Sequence, residues 1–152
     1  MKYILLLNFI ILLFGRYPCS KGVIDFKELI SQNGYYSHEI DDGTIYFNIC
    51  EPVILQPDEL LYNIVLEKEN KTYEYYSYVS TQKITLDKEN EQVIFSYRQP
   101  MVLNNKFSYI TVKCSKKKEV EFLSYSKSED GTINIEMKSP VACIKKYESI
   151  GS

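Results

Sequence analysis

Three of the chain's four cysteines close short β-type runs: Ile45-Tyr-Phe-Asn-Ile-Cys50, Tyr109-Ile-Thr-Val-Lys-Cys114 and Ser139-Pro-Val-Ala-Cys143. The fourth, Cys19, follows an apolar leader. There is no Cys-x-x-Cys pair and His38 is the single histidine, so a structural zinc site or a Cys/His catalytic pair has too few parts. Disulfides are the better reading. Among the three possible connectivities the sequential one, Cys19 to Cys50 and Cys114 to Cys143, is preferred, because each bridge then closes a loop of about 30 residues within one local group of strands. In the chain-entropy picture a loop of that size contributes on the order of 3 kcal/mol, a large share of a small domain's stability.

Met1-Lys2 makes a short positive start, and Tyr3 to Phe14 is apolar apart from Asn8. That run is shorter than the roughly 20 residues a membrane-spanning helix needs, and no charged stop-transfer cluster follows it. It predicts a secretory signal peptide over 1–18. Cleavage before Cys19 is favoured, since a cut after Gly22 would leave an odd cysteine. Residues 19–146 are then one β domain and 147–152 a polar tail, with no linker or internal repeat between them. The expected location is the lumen of the endoplasmic reticulum, Golgi or lysosome, or the cell exterior, with no membrane span in the mature chain. Acidic residues outnumber basic ones, 20 to 18, and the leader takes Lys2 and Arg16 with it. Such a balance argues against nucleic acid or an anionic membrane as partner. The runs Lys116-Lys-Lys118 and Lys145-Lys146, flanked by Glu119, Glu121 and Glu148, read as solvated segments.

The periodicity is that of strands. Thr132-Ile-Asn-Ile-Glu-Met-Lys138 alternates strictly, with Ile133, Ile135 and Met137 on one face and Asn134, Glu136 and Lys138 on the other. The Asp130-Gly131 pair before it suits a tight turn, and Val120 to Tyr125 supplies the partner strand of a hairpin. Asp42-Gly43 introduces the run 45–50 in the same way. Ile84-Thr-Leu86, Gln92 to Tyr97 and Phe107 to Cys114 add further strands, whereas Phe26 to Ile30 and Pro57 to Leu61 each predict about one helical turn. Fourteen tyrosines and no tryptophan fit an all-β chain with half-buried rings. The expected architecture is a disulfide-stabilised flattened β-barrel or two-sheet sandwich of about eight to nine strands. His38, in a polar Tyr-Ser-His-Glu setting, is expected in an exposed loop. Neither a Ser-His-Asp arrangement, a phosphate-cradling glycine loop nor a metal-binding helix is visible, so neither catalysis nor a cofactor is expected.

The order and spacing of these elements carry a resemblance. Phe26-Lys-Glu-Leu-Ile30, Gly34-Tyr-Tyr36 and Gly43 to Cys50, followed by Val93 to Tyr97, Ile110 to Cys114 and Ile133 to Cys143, together resemble mannose 6-phosphate receptor homology (MRH) domains over nearly the whole mature chain. The resemblance implies a flattened barrel of two sheets and the same two disulfides. It also implies a site for mannose-type sugars built from a Gln, an Arg, a Glu and a Tyr. Glu136 occupies the Glu place, and its two oxygens can accept two sugar hydroxyls. Lys106 stands at the Arg place without the planar fork that engages two hydroxyls at once. Val141 stands at the Tyr place and donates nothing, Gln56 lies earlier than the family's Gln, and the two cysteines that brace the neighbouring loop are absent, with Leu103 near one of their places.

Two classes of function follow from that pattern. One is a lectin-like module in which Glu136 and Lys106 contact a glycan or glycoprotein, with Tyr109 or Tyr97 supplying the missing hydroxyl. The other keeps the barrel and binds a secretory-pathway protein, and the residues favour it slightly. The alternative is a secreted β-sandwich that holds a lipid or other small apolar ligand. Asn70-Lys-Thr72, in a polar stretch suited to an exposed loop, is an N-glycosylation signal.

Overall fold

The computed structural model describes residues 17–55, 61–100 and 106–150. Most of the leader, the predicted turn at 57–61 except Leu61, Gln56, and the segment 101–105 with Leu103 lie outside these. Among the described residues ten strands are formed: β1 (Ser20–Lys21), β2 (Ile24–Asp25), β3 (Tyr36–Ile40), β4 (Gly43–Phe47), β5 (Tyr62–Lys68), β6 (Tyr73–Asp87), β7 (Gln92–Arg98), β8 (Phe107–Cys114), β9 (Glu121–Lys127) and β10 (Ile133–Ser139). The first two pair with each other, and the other eight form one continuous sheet in the order β3-β4-β5-β6-β7-β8-β10-β9. All neighbours are antiparallel except β8 and β10, which run parallel because the β9–β10 hairpin folds back and inserts β10 beside β8.

This sheet curls until its two edges meet. The His38 ring of β3 stacks on the Phe122 ring of β9 with centroids 3.9 Å apart, and no ladder joins the two strands among the described residues. The result is a nearly closed barrel. A register shift at Glu136/Met137 breaks the pairing of β9 beside Phe122, and a bulge there bends an edge strand away from further pairing. His38 is therefore exposed on an edge strand and not in a loop.

The barrel interior is filled by its own side chains. Phe47, Phe95, Tyr97, Ile110, Ile135 and Met137 are all fully buried or nearly so. Burying side chains of this size contributes about 1.5–3 kcal/mol each. The 3-10 turn Lys27–Leu29 sets Phe26 and Leu29 over one end, where Phe26 meets Phe95 edge-on at 5.6 Å. Its placement is held by the Cys19–Cys50 disulfide, whose Cα atoms are 5.4 Å apart. The second disulfide, Cys114–Cys143, joins the end of β8 to the 3-10 turn Pro140–Ala142 that follows β10. The chain then continues as 3-10 turns over Ile144–Ile150, with Tyr147 packed on the core.

Candidate functional site

Strand alternation decides where each side chain of interest points. On β10, Ile133, Ile135 and Met137 are buried, which turns Asn134, Glu136 and Lys138 to the outer face. Glu136 is 40% exposed and bonds Lys113 of β8 at 3.0 Å. Asn90, Gln92, Thr111 and Lys138 join that pair around a polar depression of about 710 Å³. Lys106 is elsewhere. Glu136 pairs with Thr111, five positions along β8 from Lys106, which is about 16 Å at a rise of ~3.3 Å per residue. The Lys106 side chain lies against Gly131 in the β9–β10 turn, where a Cβ would meet its Nζ at 3.1 Å. The structure thus does not bring Glu136 and Lys106 together. Val141 is buried in the turn after β10, and Tyr97 is fully buried with its hydroxyl donating to Gln82 Oε1 at 2.6 Å. Tyr109 faces outward beside Phe107, with ring centroids 6.4 Å apart.

The open seam between β3 and β9 forms a second feature. His38, Ile40, Asp42, Phe122 and Tyr125 line a groove of about 570 Å³. Burial, with the charges of Asp42 and Glu74 adding, pushes the Tyr125 phenol up to about 12. Next to it the Lys127 ammonium sits 5.1 Å from the Tyr76 ring centroid, while the Tyr76 hydroxyl donates to Glu74. Lys68 and the Tyr76 hydroxyl together hold the Glu74 carboxyl below its ordinary range. These charges satisfy one another across one barrel end.

A third feature was not legible in the sequence. Tyr46, Val65 and Tyr75 are register neighbours across β4, β5 and β6, and they face outward because Ile45, Phe47, Ile64 and Leu66 point inward. Around Val65, which is only 3% exposed, the rings of Tyr35, Tyr46, Tyr62, Tyr75 and Tyr78 form an aromatic layer. Tyr35 meets Tyr46 edge-on at 5.1 Å, and Tyr62 lies 4.5 Å from Tyr75 and 5.2 Å from Tyr78. Ring pairs of this kind each contribute about 0.5–1.5 kcal/mol beyond area burial and fix the rings in place. Tyr46 also donates to Glu67 at 3.1 Å, and its phenol is raised by burial and then by that carboxylate. Glu67 in turn is lowered chiefly by Lys71. Tyr73, at the far end of the layer, is 37% exposed.

The same region is pinned by buried amides. Asn63 Nδ2 donates to the Asn48 carbonyl at 3.1 Å while its Oδ1 accepts from Ser77, and Asn48 Nδ2 donates to Gly34 and Pro52 carbonyls, each at 3.3 Å. Gln82 Oε1 accepts from the Cys50 amide at 3.0 Å, which supports that residue at φ 63. Among the described residues every buried side-chain nitrogen and oxygen has a partner. Glu91, Cys114 and Cys143 have the spacing of a metal cluster, but the two sulfurs are bonded to each other, and ligation requires free thiolates. No helix among the described residues is long and apolar enough to cross a membrane. Neither a family model nor a curated protein matches the chain.

Proposed function

We propose that this chain is a non-enzymatic recognition module of the secretory route, built on a barrel of MRH type, whose ligand is a protein held on the tyrosine layer of β4, β5 and β6. The observation that carries this reading is the layer itself: a packed pair of rings, Tyr35 with Tyr46, and a packed trio, Tyr62 with Tyr75 and Tyr78, on the outer face around a buried valine. Tyrosine supplies large contact area at small entropic cost, and it is enriched among residues that dominate protein interfaces. The two disulfides and the apolar leader support passage through an oxidising compartment.

A glycan reading retains one specific support, the polar depression around Glu136, lined by two carboxylates, two amides and a hydroxyl. Against it, Glu136 already bonds Lys113 and lies far from Lys106. The apolar-ligand alternative would need a cavity where Phe95, Tyr97 and Ile135 now stand.

The test uses a photo-reactive phenylalanine analogue at position 75 to capture ligands covalently from the secretory lumen. Binding of the captured protein, once purified, is then measured directly. Tyr62→Ala and Tyr75→Ala should each weaken it by about 30-fold, the scale of an interface hot spot, while Glu136→Gln leaves it unchanged. A thermal shift with millimolar mannose or mannose 6-phosphate, abolished by Glu136→Gln, would favour the glycan instead.

A further inference from the structure

The hairpin between β5 and β6 presents Asn70-Lys71-Thr72 at its tip. Two bonds close the turn, Lys68 N–H to the Thr72 carbonyl at 2.8 Å and Lys71 N–H to the Lys68 carbonyl at 2.9 Å, with Lys71 at φ 64. Within it Asn70 Oδ1 accepts from the Thr72 amide at 3.1 Å and from the Thr72 hydroxyl at 2.6 Å. Both Thr72 groups thus hold the amide by its oxygen. The Nδ2 atom bonds nothing among the described residues, and Glu69 to Tyr73 are exposed throughout.

A second tripeptide in the chain has an asparagine two residues before a residue that can donate, and it serves as a control. Asn48-Ile-Cys50 is fully buried at both ends, Asn48 Nδ2 is spent on the Gly34 and Pro52 carbonyls, and Cys50 is in a disulfide. Its asparagine is a structural pin. Asn70 is the reverse in each respect: exposed, with a free Nδ2, on a short turn with room on every side for a bulky substituent.

We infer that Asn70 is a modification site that carries an N-linked oligosaccharide. The donor class is an oligosaccharide joined to a lipid pyrophosphate. The Asn70 Nδ2 attacks the anomeric carbon as the bond from that carbon to the pyrophosphate oxygen breaks, a new carbon–nitrogen bond forms, one Nδ2 proton passes to a base of the transferase, and the lipid pyrophosphate leaves. The glycan then borders the tyrosine layer at its Tyr73 end and leaves the Tyr62 and Tyr78 end open. This inference shares with the proposed function only the premise that the chain enters the secretory route.

The test expresses the full chain, leader included, in eukaryotic cells. Peptide-N-glycosidase should convert Asn70 to Asp, seen by peptide mass, and collapse a slower gel band to the mobility of the bare chain. Asn70→Gln and Thr72→Val should abolish that band, and Thr72→Ser should retain it at reduced occupancy. A leader-free, disulfide-linked chain with unmodified Asn70 overturns the inference and leaves the proposed function standing. A chain recovered reduced, with its leader uncleaved, overturns both.

Discussion

Two halves of the barrel are built by different rules. In β7, β8 and β10 alternate residues are buried without interruption: Val93, Phe95 and Tyr97, then Ser108, Ile110 and Val112, then Ile133, Ile135 and Met137. In β5 and β6 the pairing slips between Tyr62 and Ile64, between Ile64 and Val65, and again between Tyr78 and Lys83, where residues 79–82 of β6 face Tyr97 alone. Four consecutive residues, Asn63 to Leu66, are buried there, so apolar groups lie on both faces of the sheet. The regular half closes the core, and its outer face mixes polar side chains such as Thr111, Lys113 and Glu136 with Ile94, Phe107 and Tyr109. The irregular half must cover its outer face as well, and it does so with tyrosines. An outer face covered by aromatic rings is suited to contact in a way that a salt-bridged face such as Lys113–Glu136 is not.

That contrast can be broken by substitution, starting with the largest expected effect. Phe95→Ala in the regular half should cost about 3–5 kcal/mol in denaturant unfolding, because the ring is fully buried and the strands around it cannot collapse. Asn63→Ala in the irregular half should cost about 1–3 kcal/mol by leaving the Ser77 hydroxyl and the Asn48 carbonyl unpaired. A cost below about 0.5 kcal/mol would mean that the amides do not replace the broken ladder. Tyr75→Ala should cost no more than about 1.5 kcal/mol, its ring being a surface pair, so that binding and not folding reports its role. Glu136→Gln should move stability least, within about 0.5 kcal/mol, as expected of an exposed ion pair.

The tyrosines also set an alkaline limit. A phenol whose folded pKa lies above its unfolded value of 10.0 keeps its proton longer in the folded state. Its contribution is complete below pH 10 and is lost as the pH rises through the folded value, about 12 for Tyr125. Tyr36, Tyr46, Tyr76 and Tyr97 shift in the same direction, each chiefly through burial. Phenolate absorbance should therefore show these five tyrosines ionising only above 10, together with loss of folded structure. A single titration near 10 would contradict the burial of these rings.

The regular half was legible because its alternation survives in the sequence. Phe107 to Cys114 and Ile133, Ile135 and Met137 read directly as a strand and a buried face, and the Asp130-Gly131 turn marked the hairpin of β9 and β10. The irregular half was not. Tyr36 to Ile40 is an edge strand with no fully buried face, so it lacks a period and left His38 looking like a loop residue. Tyr62 to Lys68 and the first part of β6 were missed because each register shift moves the inward set by one residue, which erases the period-two signal. The tyrosine layer was hidden for the same reason, although fourteen tyrosines in one chain were visible from the start. Glu136 was placed on the correct polar face, but only the register of β8 and β10 shows how far it stands from Lys106.

On this reading recognition belongs to the irregular half. It is tested most directly by measuring ligand binding to the secreted protein, on a glycan array and against the protein captured through position 75, for the wild type, Tyr62→Ala, Tyr75→Ala and Glu136→Gln. Recognition by the tyrosine layer requires a silent array and a protein ligand lost on either tyrosine substitution but retained in Glu136→Gln. A mannose-type glycan bound by the wild type and by both tyrosine variants, and lost in Glu136→Gln, would contradict it.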